Sequence, residues 1–178
     1  MPKITITKLD VVFRQLRAAI GMYFHDEDPV PIHTLASAAY DILMHINRKK
    51  GNAPMEVKET ILDKINPKYR DKIRRMMWEP QNFFKHADKD PEGVLEFNTL
   101  LTEMFLFECV EKYHDLTGEL RVLPMLFSLW FLLNNPEMVT QNEFLDNLKQ
   151  EIQSQNLMDD KKKFFNVVGS ILIDKGLK

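Results

Sequence analysis

"GVLEFNTLLTEMFLFECVEKYHDLTGE", residues 93–119, reads with a helical period. Leu100, Met104, Phe107, Val110 and Leu116 recur at steps of three, four or six, and Leu101, Phe105 and Cys109 widen the stripe they form. A strand would alternate at every second residue, and this stretch does not. A helix with so broad an apolar surface needs several neighbours, either helices of its own chain or a second copy. The rest of the sequence follows from asking what surrounds it.

On its C-terminal side, "LRVLPMLFSLWFLLNN" is the greasiest run. Twelve residues separate Arg121 from Asn134, and Pro124 lies near the start. A membrane span takes about 20 apolar residues, so this reads as a buried helix. "TQNEFLDNLKQEIQSQN" then reads as a polar amphipathic helix. "LMDDKKKFFNVVGSILIDKG" reads as a last one, with Phe164, Phe165, Val168, Ile171 and Leu172 inward. Residues 137–178 are expected as a helical extension of the bundle, since nothing marks them off as a second domain.

On its N-terminal side, Thr7 with Asp10 three residues on is a capping box, and an apolar stripe from Leu9 to Phe24 follows. "VPIHTLASAAYDILMHINRKKG" reads as a second helix. Pro31 stands in its first turn, small residues at 36–39 permit close approach of a neighbour, and Gly51 follows its end. A short helix is expected over Met55–Ile65. Another is expected from Pro67 to Trp78, ended or kinked at Glu79-Pro80. The expectation is an all-α protein: a single helical bundle of about six to eight helices over residues 1–178.

Composition agrees. Helix formers dominate, and twelve phenylalanines and ten methionines imply a bulky, adaptable interior. The net charge of -2 argues against broad nucleic-acid coating but leaves room for a local patch. The lone Cys109 excludes an internal disulfide framework, and the polar opening "MPKITITKLD" has no secretory h-region. Both fit the cytoplasm, with no membrane partner.

One segment interrupts the helices: "NFFKHADKDPEG", residues 82–93. From Asp88 it imitates a calcium loop, with Asp88, Asp90, Glu92 and Gly93 in register. Position twelve, however, is Thr99, where calcium requires a bidentate glutamate. No short His/Cys pattern completes a transition-metal set, so no metal or other cofactor is expected. His25, His33, His45 and His114 each read as ordinary residues, and Cys109 as a buried structural thiol. Serine elbows, phosphate loops and nucleotide-binding glycine patterns are absent from the chain.

"QNFFKH", residues 81–86, resembles the short motif of the HEPN superfamily, helical domains common in prokaryotic toxins and defence proteins. That motif sets an arginine and a following polar residue several positions before a histidine. Asn82 and His86 match the polar residue and the histidine, whereas Gln81 occupies the arginine position. The paired early helices, with an Ala-rich second member, also resemble those domains, over about residues 7 to 117. The resemblance implies metal-independent RNA cleavage at a site formed across a homodimer. It implies His86 as proton shuttle, Asn82 as its orienter and Lys85 as a phosphate contact. Arg74 and Arg75, on the basic stretch "RDKIRR", would add substrate contacts, and Gln81 a hydrogen bond. A guanidinium offsets phosphate charge in the transition state, and glutamine cannot. The expected function is therefore a catalytically weak or inert RNA-processing or defence-related protein. The alternatives are a small-ligand-binding bundle and a regulatory module that engages a protein partner. The position of His86 separates them: an open cleft beside Arg74 or Arg75 favours RNA, and burial against Trp78 and Phe83 disfavours it.

Overall fold

The computed structural model describes residues 3–86, 88, 90–138, 150, 152, 154 and 156–177. Among them are seven α-helices and no strand: α1 Lys8–Phe24, α2 Pro29–Lys49, α3 Ile61–Lys64, α4 Pro67–Phe83, α5 Leu100–Thr117, α6 Val122–Asn134 and α7 Lys161–Asp174. A five-residue π-helical turn, Glu56–Thr60, leads into α3, and a 3₁₀ turn, Pro136–Met138, follows α6. No helix among the described residues is long and apolar enough to cross a membrane.

The helix ends follow their local chemistry. Thr7 Oγ1 accepts from the Asp10 amide, and the Asp10 carboxylate accepts from the Thr7 amide, closing the capping box of α1. Asp28 caps α2, with Pro29 in the first turn, where its missing N–H costs nothing. Gly51 terminates α2 at φ +71°, in the left-handed region that other residues avoid.

α5 is the centre of the bundle, and α1, α2 and α6 pack around it. Its broad apolar surface is thus largely covered within one chain. Its most buried line is Thr102, Phe105, Leu106, Cys109, Val110 and Tyr113, while Met104, Phe107 and Leu116 lie at the flanks. The expected stripe is rotated by about one position, because so broad an apolar surface has no unique centre line until its neighbours set one. Leu100, expected inside, is 60% exposed. The helix also begins there rather than at Gly93. The Asn98 side chain accepts the Leu100 amide at 3.0 Å, which stops the helix, and residues before it run non-helically to deliver Phe97 to the interior.

Small residues do what α2 needs of them. Ala36, Ser37 and Ala39 are fully buried, and the Cys109 thiol comes within 3.9 Å of the Ala36 carbonyl. At the far end, Phe24 stacks on Phe164 at 6.1 Å and meets Trp130 edge-on at 5.9 Å, bringing α1, α6 and α7 together. Trp130 Nε1 donates to the Tyr23 hydroxyl, which donates to Glu103. Burial and the Glu103 charge push the Tyr23 phenol well up. On α7, Phe164 and Val168 are buried and Phe165 and Leu172 pack partly buried against the core, but Ile171, expected inside, is 42% exposed. The polar helix expected over residues 140–156 lies mostly outside the described residues.

α4 departs most from expectation. It runs through Pro80 to Phe83 instead of stopping at Glu79. The proline removes one backbone donor, yet the Phe84 amide still donates to the Pro80 carbonyl at 2.9 Å, and Met77, Pro80 and Gln81 are all buried. Burial of this last turn holds a helix that local propensity would end.

Candidate functional site

An internal network positions α4. Lys58, in the π turn, is nearly fully buried. Its Nζ donates to Asp41 Oδ1 at 2.9 Å and to Gln81 Oε1 at 2.7 Å. The Gln81 amide nitrogen donates in turn to the other Asp41 oxygen. The ammonium also faces the rings of Phe105 (5.1 Å), Tyr40 (5.3 Å) and Trp78 (5.8 Å). The π turn is itself fixed from α5: Glu108 accepts the amides of Glu56 and Val57, and the Tyr40 hydroxyl accepts the Lys58 amide while donating to Glu108. Burial raises the Glu108 carboxyl above the ordinary range against these bonds.

With Met77, Pro80 and Gln81 turned inward, the remaining side of α4 is open. Arg74, Arg75, Trp78, Glu79, Asn82 and Phe83 repeat at helical spacing along it. His86, Asp88 and Asp90 join from the following loop, and together these residues line an open groove of about 890 Å³. The amides of Lys85 and His86 both donate to the Asn82 carbonyl, at 3.2 and 3.0 Å, so the imidazole follows directly on the helix end. The His86 side chain is 60% exposed, with Nδ1 3.9 Å from Asp88 Oδ1. Arg74 shares its charge with Asp71, whereas Arg75 has no ion-pair partner among the described residues.

The groove therefore unites four of the six residues singled out in the sequence: Arg74, Arg75, Asn82 and His86. Lys85 is exposed but does not line it, and Gln81 lies inside the protein. Sequence reasoning missed Trp78, Phe83, Glu79 and the network around Lys58. The i, i+4 spacing of Arg74, Trp78 and Asn82 was the available signal.

Phe83 and Phe84 part ways. Phe83 is 38% exposed in the groove, while Phe84 turns in against His33 and Phe97. His33, which read as an ordinary residue near a helix start, is fully buried. It lies among the rings of Phe84, Phe97 and Phe105, with Nδ1 2.9 Å from Thr102 Oγ1. Nε2 has no partner among the described residues. Burial, reinforced by the Lys58 and Lys85 charges, lowers its pKa to about 4, so the ring is neutral and acts as a clasp for the loop that carries His86.

Cys109 is buried and its thiol is pushed well up by desolvation, which suits a packing role. Among the described residues no three His, Cys, Asp or Glu side chains are placed to hold a metal ion. No protein-family model matches the chain, and no curated protein or solved structure matches it.

Two outcomes follow from these interiors. Gln81→Arg sets a second cation beside the buried Lys58 and is expected to cost about 2 kcal/mol of stability in urea denaturation, and Gln81→Glu, which keeps the acceptor for Lys58 but loses the donor to Asp41 and sets two carboxylates together, also destabilises. For His33, the folded state binds fewer protons than the unfolded chain between pH about 4 and the ordinary 6.5. Stability is thus intact above that window and falls as pH drops through it, by roughly 3 kcal/mol in all. Urea titrations at stepped pH should show this slope, and His33→Gln should flatten it.

Proposed function

We propose that the α4 groove binds a short stretch of single-stranded RNA and cleaves it slowly or not at all. The observation that carries this reading is the position of His86: exposed in an open groove with Arg74, Arg75, Asn82 and two aromatic rings. Arg75 supplies an unshared guanidinium for phosphate, and Trp78 and Phe83 supply surfaces on which unstacked bases rest. The carboxylates of Glu79, Asp88 and Asp90 bound the length of the bound strand. They balance the arginines, so the groove suits one or two phosphates rather than a long backbone.

Cleavage needs a proton shuttle and a cation at the same phosphate. Arg75 and Asn82 are seven residues apart on a helix that rises 1.5 Å per residue, about 10 Å. The nearer position, 81, holds a glutamine that faces Asp41 and Lys58. A transition state at His86 therefore lacks a close guanidinium, a loss of roughly 3 kcal/mol, or about two orders of magnitude in rate. A homodimer belongs to the same proposal, since a second copy would bring further groups to this face. Light scattering would read it as a mass of twice 21.0 kDa.

The test is fluorescence anisotropy with labelled ten-residue RNAs of mixed sequence. Binding in the micromolar range is expected, with a log–log salt slope of about -1, as one or two phosphate contacts predict. Arg75→Ala should weaken it about five- to tenfold. Slow cleavage, if detected on gels, should vanish in His86→Ala. Absence of binding by the wild-type protein at low salt would remove the RNA reading and leave the regulatory or ligand-binding alternatives.

A further inference from the structure

We infer that the groove selects guanine, with Asp90 as the residue that reads the base; this rests on the RNA-binding reading above. Besides balancing the arginines, the carboxylates of Glu79, Asp88 and Asp90 line the groove as hydrogen-bond acceptors. Neither Glu79 nor Asp90 has an ion-pair partner among the described residues, and Asp88 faces His86. An ionised carboxylate only accepts hydrogen bonds, with two oxygens side by side. Of the four RNA bases, guanine alone presents two adjacent donors on its Watson–Crick edge, N1–H and the N2 amino group. Adenine and cytosine each set one amino group beside a ring acceptor, and uracil sets its single N–H between two carbonyls. A carboxylate beside a stacking ring therefore pairs bidentately with guanine and meets at least one repelling lone pair in each other base.

The structure places the two required parts together. A Cβ added at Gly93 would stand 2.4 Å from Oδ2 and 2.7 Å from Cγ of Asp90, and 3.1 Å from Cε2 of Phe83. The carboxylate and the exposed ring thus crowd the same bare backbone. The Asp90–Gly93 turn, closed by the Gly93 amide donating to the Asp90 carbonyl at 3.2 Å, holds them there. Glycine at position 93 is what allows the approach. Arg75 stands eight residues before Phe83 on α4, about 12 Å along the axis. That spacing suits a base on Phe83 whose strand runs on toward the guanidinium one or two nucleotides away.

The experiment compares five short RNAs, UUGUU, UUAUU, UUCUU, UUUUU and UUIUU, where inosine (I) keeps N1–H but lacks the N2 amino group. Anisotropy competition on the wild-type protein should rank UUGUU about tenfold tighter than UUAUU, UUCUU and UUUUU, with inosine between. Asp90→Asn should bring UUGUU down to the level of UUAUU, and Gly93→Val, which displaces the carboxylate, should do the same. Asp90 is exposed, so the first variant carries no folding burden. Equal binding of all five RNAs overturns guanine selection while leaving the RNA reading in place. A guanine preference that survives Asp90→Asn overturns the assignment to Asp90. Binding of none of them removes both readings together.

Discussion

One buried ammonium ties α4 to α2 and α5. Lys58 reaches from a single π-helical turn into a space enclosed by α2, α4 and α5. There it meets Asp41, Gln81 and three aromatic rings. Taking such a charge out of water costs several kcal/mol, and only a full set of partners offsets this. The carboxylate and one ring come from α2, the amide and a second ring from α4, and the third ring from α5. α4 is otherwise a polar, basic helix with only Met77, Pro80 and Gln81 buried. Its seating therefore combines this polar contact with the packing of Ile73, Met77 and Trp78 on the core.

That dependence shapes the groove. Gln81 satisfies Lys58 by facing inward, and with Met77 and Pro80 buried beside it the helix presents Arg75, Glu79 and Asn82 outward, with Arg74 and Trp78 at the edge nearer Gln81. Trp78 lies on the border: its ring faces the buried ammonium and also lines the groove. The glutamine that breaks the resemblance to the HEPN motif is thus a structural residue of this chain. An arginine there would compete with Lys58 for Asp41.

The loop beyond α4 is held by a second, different device. His33 is neutral because it is desolvated, and its ring serves as an aromatic platform for Phe84 and Phe97. One phenylalanine of the FF pair anchors the loop and the other faces solvent. His86, Asp88 and Asp90 are consequently presented on a segment fixed at both ends, by the end of α4 and by Phe97 ahead of α5.

The helices whose signals are local were legible in the sequence: the capping box at Thr7, the glycine stop at Gly51, the apolar run of α6, and the all-α class that follows from them. It also brought forward four of the residues that line the α4 groove, because His86, Asn82 and the basic run stand close in sequence on or beside one helix. Only the tertiary structure decided where α4 ends, because burial of Pro80 and Gln81 outweighs the local cost of proline. Which line of α5 is central was set by its packing, since a broad apolar surface offers several centre lines until neighbours choose one. The sorting of "QNFFKH" into inward Gln81 and Phe84 and outward Asn82, Phe83 and His86 depends on Lys58 and His33. Those residues lie about 23 and 50 positions away, and long-range charge burial leaves no periodic trace in a sequence.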